Sequence, residues 1–271
     1  MKYKALALDL DGTLTDSNKN LSQKNIDAIH KAIEEDVAVI LASGRPVLGI
    51  TEIAEQLELK ERGGYILAYN GGNIIDCRDD SLLYEKILPA ECIPLICDAA
   101  RKNDVIALTY TKDEIVAESQ DDEYLLREAK CNHARIRKVD NLETFVDYPV
   151  AKFLVVGEHE KLLKVQEVLL DAYADRIDAF FSESYFLEVV PAGIAKSASL
   201  DVLLGNLGIR SEELIACGDG MNDIPMLEYA GLSVAMENAY PQVKQYADYI
   251  TLSNDEDGVA HVIERYILDK V

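Results

Sequence analysis

The sequence predicts a doubly wound, mostly parallel α/β sheet with an inserted α+β domain. Three patterns along the 271 residues indicate this fold. Apolar strands alternate with amphipathic helices over the first third of the chain, and the same alternation returns over the last third. Between these parts, neighbouring strand patterns are mixed with helical patterns, which is typical of a separate α+β layer.

The N-terminal alternation begins with a strand and a capped helix. The apolar residues 5–10 predict a buried strand whose carboxyl end carries Asp9. Ser22 is expected to cap the next helix, in which Ile26 and Ile29 recur at helical spacing. This strand-to-helix step is the first unit of the alternation.

Two further strands are expected to end at polar turns. Residues 37–42 predict a second buried strand, after which Pro46 is expected in the first turn of another helix. A third strand over 65–69 stops at the turn-forming sequence that begins with Asn70. Because helical patterns separate these strands, parallel pairing with helices on both faces is expected.

The C-terminal part repeats this order. Strands are expected over residues 214–217, 232–235 and 248–252. Helices are expected to start near Asp223, at Pro241 and near Asp257. The two ends of the chain should therefore form one sheet.

The middle of the chain is expected to form its own domain. Strand patterns at 106–111 and 114–118 follow each other directly, and a helical pattern covers 161–174. We therefore expect a core domain made of residues 1–85 and 186–271, with residues 86–185 inserted between them.

Composition and charge limit the class of protein. Hydrophobic residues make up 49% of the chain and the formal net charge is −22, which indicates an acidic globular protein without a nucleic-acid partner. The sequence shows neither a secretory signal nor an apolar run of membrane-spanning length, so a cytoplasmic protein without a membrane partner is expected. The five cysteines form no CxxC pair and are expected to be buried, reduced thiols.

Acidic residues stand where two of the predicted strands end. Asp9 and Asp11 follow the first strand, and two carboxylates can crowd one place there. Crowded carboxylates favour a hard cation such as Mg²⁺, and a carboxylate can also attack phosphorus. An ordinary turn rich in Asp and Gly would explain the same residues.

A second acidic turn covers residues 218–223. Because open α/β sheets bind ligands at the carboxyl ends of their strands, Asp219 and Asp223 are expected to share one site with Asp9. Asp223 could instead be a plain helix N-cap, but that would leave Asp219 buried without a partner.

Two other polar residues stand at predicted helix starts. The Ser43 hydroxyl and the following N–H groups can cradle an anion, or Ser43 can simply cap the helix. Lys196 begins a helix, where the dipole disfavours a cation, so a nearby phosphate or carboxylate would offset this cost.

Taken together, these motifs resemble those of the haloacid dehalogenase superfamily, and the set is similar to its Cof-type sugar-phosphatase branch with a class IIB cap. The motifs in family order are Asp9-x-Asp11-Gly12-Thr13-Leu14, Ser43-Gly44-Arg45-Pro46, Lys196 and Gly218-Asp219-x-x-Asn222-Asp223. The resemblance covers essentially the whole chain, although residues 86–185 match only in length and pattern. Small residues replace the branch's usual ones at Gly72 and Ser197.

The resemblance implies a Rossmann-like core and a Mg²⁺-dependent phosphatase that acts on a small-molecule ester, with a sugar phosphate as the expected substrate. Asp9 would be the nucleophile that forms an aspartyl-phosphate, and Asp11 would be the general acid and base. The phosphoryl oxygens would be held by Ser43, Lys196 and Asn222.

The same resemblance implies the metal ligands and the substrate contacts. Mg²⁺ would be bound by Asp9, the backbone carbonyl of Asp11 and Asp219, with Asp223 nearby or acting through water. Further substrate-binding residues would be Leu10, Gly44, Arg45 and Asn70. The cap would choose the substrate. A phosphosugar mutase of the same fold and a non-catalytic sugar-phosphate sensor stay open as alternatives.

Overall fold

A computed structural model of the chain describes residues 2–268. The chain divides into two compact units, each of which is described by itself. The first combines the chain up to Gly44, Ile50–Tyr84 and the chain from Ala195 onward. The second combines Arg45–Gly49 with Glu85–Ile194.

Strands and helices follow one another through both units. The strands are β1 (Ala5–Leu8), β2 (Ala38–Ala42), β3 (Tyr65–Ala68), β4 (Asn73–Asp76), β5 (Ser81–Glu85), β6 (Ile106–Tyr110), β7 (Glu114–Ala117), β8 (Arg135–Lys138), β9 (Phe153–Val156), β10 (Ile177–Glu183), β11 (Phe186–Pro191), β12 (Leu214–Gly218), β13 (Leu232–Ala235) and β14 (Tyr249–Ile250). The α-helices are α1 (Gln23–Glu34), α2 (Leu48–Gln56), α3 (Leu59–Arg62), α4 (Ile93–Lys102), α5 (Glu123–Cys131), α6 (Leu142–Phe145), α7 (His159–Tyr173), α8 (Lys196–Leu207), α9 (Ile224–Tyr229) and α10 (Gly258–Tyr266).

The sheet of the first unit is doubly wound, as predicted. Its strand order is β14-β13-β12-β1-β2-β3-β4-β5. The strands from β14 to β3 are parallel, and β4 is antiparallel to β3. Since parallel crossovers are right-handed, winding in opposite directions from β1 and β12 places helices on both faces. Accordingly, α1 packs against α10, and α8 packs against α9.

Local sequence explains why α1 begins where it does. The Ser22 side chain accepts a hydrogen bond from the backbone N–H of Asn25 at 3.1 Å, so the predicted N-cap is confirmed. The buried face of the helix includes Ala28, Ile29 and Ala32. These side chains recur three or four residues apart and anchor α1 on the sheet.

Two predicted helix starts differ in the structure. Pro46 precedes α2, which begins only at Leu48, and a turn leads into the helix, in which the N–H of Gly49 bonds the carbonyl of Pro46. Pro241 is followed by a single 3₁₀ turn, Val243–Tyr246. The chain has no room for a longer helix there, since the N–H of Asp248 already bonds the carbonyl of Ser233 in β13.

The second unit has its own sheet, with the order β10-β11-β9-β6-β7-β8. Only β7 and β8 are parallel, and α5 connects them; the other described pairs are antiparallel. One sheet face packs with α4 and α7 around an apolar cluster that includes Phe153, Val155 and Leu187. On the other face, the Tyr110 hydroxyl of β6 donates to Glu128 of α5 at 2.7 Å.

The second unit extends further than residues 86–185. Strand β11 pairs with both β9 and β10, so Phe186–Pro191 completes this sheet instead of starting the core. The unit continues to Ile194, two residues before α8 begins at Lys196. The predicted boundary at residue 185 falls in the β10–β11 turn. The sequence pattern changes at this turn, but the chain continues to pair with the second unit's sheet through β11.

Membrane and cysteine predictions can be compared with the described residues. Over residues 2–268, the chain forms no helix with the length and apolar character needed to cross a membrane. All five cysteines are free thiols. Four are buried, but Cys131 is exposed, so its predicted burial is wrong; it is the last residue of α5, on the side that faces water.

Candidate active site

The two acidic turns lie next to each other because their strands are neighbours in the sheet. Leu8 of β1 is paired with Cys217 of β12, and the backbone N–H of Asp9 bonds the carbonyl of Cys217 at 3.0 Å. The winding of the sheet reverses between these strands, which is where open α/β sheets bind ligands. Asp9 and Asp219 are therefore brought together by topology.

A carboxylate cluster lies at this point, with Asp9 and Asp223 buried and Asp219 half-buried. Asp9, Asp219 and Asp223 each offer an oxygen, and these oxygens lie within 4.8 Å of one another. The Nζ of Lys196 donates to Asp9 Oδ1 at 2.7 Å and to Asp223 Oδ1 at 2.6 Å. Lys196 is only 1% exposed, so its charge is compensated by these acids and not by water.

Burial and mutual repulsion change the pKa values in this cluster. Burial, together with the Asp223 carboxylate, raises the pKa of Asp9 to about 8, and the attraction of Lys196 offsets only part of this rise. Burial and Asp223 also raise the pKa of Asp219 to about 6. Burial would lower the pKa of Lys196, but Asp223 and Asp9 outweigh it, so this pKa is raised and the ammonium stays charged.

The donor set fits a hard divalent cation. Three carboxylates with one neighbouring ammonium leave an excess of negative charge in a buried place, and the raised pKa of Asp9 and Asp219 reflects it. Oxygen ligands few in number suit Mg²⁺, which retains several waters. A cation here would take the place of protons on the same carboxylates.

Gly12 and Thr13 shape the approach to Asp219. Gly12 has φ +86°, and a Cβ added there would lie 2.4 Å from Asp219 Oδ2. Only glycine satisfies both conditions. The Thr13 hydroxyl donates to Asp219 Oδ1 at 2.9 Å, a contact that the motif contains but that sequence analysis did not assign.

The two explanations of Asp223 can now be separated. Asp223 directly precedes α9, but its side chain makes no capping hydrogen bond to that helix. Its Oδ2 instead accepts from the backbone N–H groups of Asp219 and Gly220 at 3.0 and 2.9 Å. With Oδ1 held by Lys196, the carboxylate is fixed at the cluster.

The carboxylate of Asp11 stands apart from this cluster. The side chain is 36% exposed, and its Oδ1 accepts from the Nζ of Lys19 at 2.7 Å. Lys19 was not identified from the sequence, because a loop lysine carries no distinguishing signal. The position leaves the Asp11 side chain accessible from solvent.

Polar residues from three turns meet around Asn70. The N–H of Asn70 bonds the carbonyl of the buried Ser43 at 2.9 Å, and the amide of Asn222 donates to Asn70 Oδ1 at 3.2 Å. A Cβ added to Gly44 would lie 3.1 Å from the Asn70 amide nitrogen. Ser43 does not cap α2, since that helix begins five residues later, at Leu48.

The turn that carries Asn70 has an unusual backbone. Tyr69 and Asn70 have φ values of +54° and +55°, which is uncommon for residues with side chains. Gly71 follows with φ +105°, and a Cβ there would lie 2.5 Å from the Ser199 hydroxyl oxygen of α8. Since Ser199 donates to the carbonyl of Gly71, this turn is tied to the helix that begins with Lys196.

Leu10 and Arg45 are the remaining expected substrate-binding residues, and each makes hydrogen bonds to groups close to it in the chain. The side chain of Leu10 is fully buried, and its carbonyl accepts N–H groups of the following turn, including that of Thr15 at 3.0 Å. Arg45 belongs to the second unit, where its guanidinium donates to the carbonyl of Gly49 at 3.0 Å.

A doubly wound sheet with an acidic cluster at its reversal point has the ligand site of an open α/β enzyme, and the comparison of sequences gives the family. The sequence model of haloacid dehalogenase-like hydrolases matches residues 6–263. The chain belongs to the haloacid dehalogenase-like hydrolases, as a Cof-type phosphatase. The predicted fold class and the predicted enzyme class are both confirmed.

Similar proteins span nearly the whole chain. An HMP-PP phosphatase of Serratia proteamaculans is 30% identical over 98% of this chain and 96% of its own length. A 5-amino-6-(5-phospho-D-ribitylamino)uracil phosphatase of Bacillus subtilis is 30% identical over 96% of each chain. The structure of a haloacid dehalogenase-like hydrolase from Bacteroides thetaiotaomicron is 48% identical, with a TM-score of 0.95 over 97% of this chain and 99% of that one.

Proposed function

We propose that this phosphatase hydrolyses a small sugar phosphate with Mg²⁺, through an aspartyl-phosphate on Asp9. The observation that carries the proposal is the buried Lys196, which bridges Asp9 and Asp223 beside Asp219. Relatives named for small phosphorylated molecules support a small-molecule ester, and one of those names includes a phosphorylated ribityl chain.

The cluster defines where Mg²⁺ would be held. The ligands would be the carboxylates of Asp9, Asp219 and Asp223, together with the backbone carbonyl of Asp11. When bound, the cation neutralises charge, so that an anionic carboxylate can meet an anionic phosphate. This matters in a chain with a net charge of −22, whose overall field opposes an anionic substrate.

In the first half of the reaction, a carboxylate oxygen of Asp9 attacks the phosphorus. A new bond forms between this oxygen and phosphorus, and the bond from phosphorus to the ester oxygen breaks. The Asp11 carboxylic acid gives its proton to the leaving oxygen. Lys196 keeps Asp9 in place through the 2.7 Å hydrogen bond and faces the charge of the phosphoryl group.

In the second half, water releases the phosphoryl group. The Asp11 carboxylate takes a proton from water while the water oxygen bonds to phosphorus, and the bond to Asp9 breaks. Phosphate leaves, Asp9 is again a carboxylate, and Asp11 is again protonated. The exposed position of the Asp11 side chain supports access by both the leaving group and water.

The polar residues around Asn70 would hold the phosphate. Ser43 and Asn222 would donate to phosphoryl oxygens. Gly44, which has no side chain, would let the backbone approach the phosphate. The contact between Asn222 and Asn70 supports this role, since it joins the ends of β3 and β12. The second unit would act as the cap that selects the leaving group.

The substitution Asp9→Asn tests the nucleophile. We expect loss of turnover with a generic ester, p-nitrophenyl phosphate, because an amide cannot form the phosphoenzyme. The control Asp27→Asn removes an exposed acid from α1 and should keep full activity. Retention of a tenth of the original activity by Asp9→Asn would exclude Asp9 as the nucleophile.

Two further measurements test the rest of the proposal. Quenching the reaction in acid and analysing peptides by mass spectrometry should find phosphate on Asp9. Chelation should abolish turnover, and added Mg²⁺ should restore it. Full activity after thorough chelation would contradict the metal assignment.

A further inference from the structure

Three backbone carbonyls in the turn after Asp9 accept hydrogen bonds from asparagine side chains. The turn contains Asp11, and the asparagines come from three separate places in the chain. The donor–acceptor pairs and their distances are Asn238 to Gly12 at 2.7 Å, Asn25 to Leu14 at 3.2 Å, and Asn254 to Thr15 at 2.9 Å.

Two of these amides also accept a hydrogen bond with their oxygen. Asn238 Oδ1 accepts the backbone N–H of Asn254 at 3.0 Å, and Asn25 Oδ1 accepts that of Ala260 at 2.9 Å. An amide can donate and accept at once, whereas a carboxylate can only accept. Asparagine therefore suits a position that joins a carbonyl of the turn to an N–H elsewhere.

The two asparagines that are distant in sequence come from one segment. Asn238 follows β13, and Asn254 begins a single 3₁₀ turn before α10. The next residue, Asp255, accepts from both the N–H and the hydroxyl of Ser17, at 2.8 and 2.7 Å. The segment between β13 and α10 is thus hydrogen-bonded to residues 12, 15 and 17 of the turn.

The inside of the turn is closed by its own hydrogen bonds. The carbonyl of Leu10 accepts the N–H of Leu14 at 3.1 Å, and both the N–H and the hydroxyl of Thr15, at 3.0 and 2.9 Å. Asp11 and Thr15 form a β-bridge. Hydrogen bonds within the turn and from the three asparagines therefore restrict the backbone of residues 10–15, which includes Asp11.

We propose that Asn238 and Asn254 are positioning residues for phosphoryl transfer, acting through the turn that presents Asp11. The inference rests on the proposed role of Asp11 as general acid and base. Neither asparagine belongs to the carboxylate cluster. A displacement of about 1 Å can lower a rate by about a hundredfold, so loss of either donor should be visible in catalysis.

The substitutions Asn238→Asp and Asn254→Asp test this inference with little change in shape. Each removes the N–H donor to the turn and keeps side-chain oxygens. Asn254 is buried and its variant carries a risk of misfolding, whereas Asn238 is exposed and its variant should fold. Asn206→Asp, at an exposed position of α8, adds the same charge away from the turn and serves as the control.

The first measurement is the dependence of rate on the leaving group. We expect Asn238→Asp to lower kcat for an alkyl phosphate by about tenfold or more, because a misplaced general acid loses part of a contribution of about a hundredfold to ten-thousandfold. The loss with p-nitrophenyl phosphate, whose leaving group needs no proton, should be clearly smaller. KM should change by less than about twofold.

The second measurement combines these substitutions with Asp11→Asn. If the asparagines act through Asp11, adding Asn238→Asp to Asp11→Asn should cause little further loss of kcat for the alkyl ester. Effects that multiply would overturn the inference, as would an equal loss with all esters. The same measurements on Asn254→Asp apply if its thermal unfolding matches that of the original protein.

The outcome for Asp11→Asn alone separates the two proposals. If that variant keeps full activity on the alkyl ester, Asp11 is not the general acid and base, and this part of the proposed function is wrong. If that variant loses activity on the alkyl ester but Asn238→Asp behaves like Asn206→Asp, the proposed function stands and the positioning role is wrong.

Discussion

The position of Lys196 is unfavourable for its own helix but is stabilised by carboxylates from other segments of the chain. At the first position of α8, its charge is opposed by the helix dipole. Its ammonium is nevertheless buried, because Asp9 and Asp223 accept its hydrogen bonds at 2.7 and 2.6 Å. Breaking a buried ion pair costs much more free energy of folding than breaking a surface one. Loss of Lys196, Asp9 or Asp223 would therefore leave a buried charge without its partner.

The affinity for Mg²⁺ should rise with pH between about 6 and 8. In the metal-free protein the pKa of Asp219 is about 6 and that of Asp9 about 8, so protons compete with the cation below these values. Raising the pH removes these protons and strengthens binding, by up to about tenfold per pH unit for each proton displaced.

Isothermal titration calorimetry at several pH values checks this dependence. Repeating the titration in buffers of different ionisation enthalpy counts the protons that binding releases. The Asp27→Asn variant should give the same dependence as the original protein. A dissociation constant that is flat from pH 5.5 to 8.5 would contradict the proton competition.

At the scale of elements, the sheet of the second unit has two unlike faces. One face meets α4 and α7 through apolar side chains. The other carries Lys152 and Glu188, whose charged atoms lie 2.7 Å apart and whose side chains are only 4% and 9% exposed. Residues alternate across a strand, so the apolar Phe153 and the charged Lys152 point to opposite faces.

Replacing Lys152 by Met should destabilise the protein by about 3–5 kcal/mol, because Glu188 would be left buried without its partner. Replacing both residues, Lys152 by Met and Glu188 by Leu, should restore part of this loss, since the unpaired charge of Glu188 is then removed, while the buried Glu128 still lacks the attraction of Lys152. Urea unfolding monitored by circular dichroism measures both effects.

An exposed ion pair of the same unit provides the control. Lys161 pairs with Asp104 at 3.1 Å, and the Asp104 side chain is 96% exposed. Lys161→Met should change stability far less than Lys152→Met, because water replaces the lost partner. Equal effects of the two substitutions would mean that the Lys152–Glu188 pair is not energetically buried.

At the scale of the whole molecule, the candidate catalytic groups and the inserted unit lie in different parts of the chain. The carboxylate cluster and Lys196 all lie in the first unit, which is made of chain segments on both sides of the second unit. The second unit contributes none of the clustered carboxylates in the described chain. Such an arrangement allows loops and inserted units to change specificity while the reaction is kept.

Substitutions in the second unit should therefore change the ranking of substrates more than the generic rate. The test compares exposed residues of Glu85–Ile194 with exposed residues of the first unit outside the cluster. Rates on several sugar phosphates are divided by the rate on p-nitrophenyl phosphate for each variant. A reordering of substrates that comes only from first-unit variants would contradict this prediction.

The sequence alone determined the fold class and the meeting of Asp9 with Asp219, although Asp11, which was expected to crowd the same place as Asp9, lies outside the cluster. Apolar strand runs and helical spacing depend on near neighbours in the chain, so β1, β13 and the Ser22 cap follow from local chemistry. Asp9 and Asp219 could be placed together because parallel strands end at the same edge of a sheet. The motif spacing then gave the family.

Only the tertiary structure decided which distant groups bond the turn after Asp9 and where the units divide. Asn238 and Asn254 bond the turn after Asp9 across more than 200 residues of chain, and no local pattern distinguishes them from surface asparagines. The pairing of β11 with β9 likewise moved the unit boundary to Ile194. Hydrogen bonds between segments far apart in sequence depend on the folded arrangement, and so spacing along the chain does not specify them.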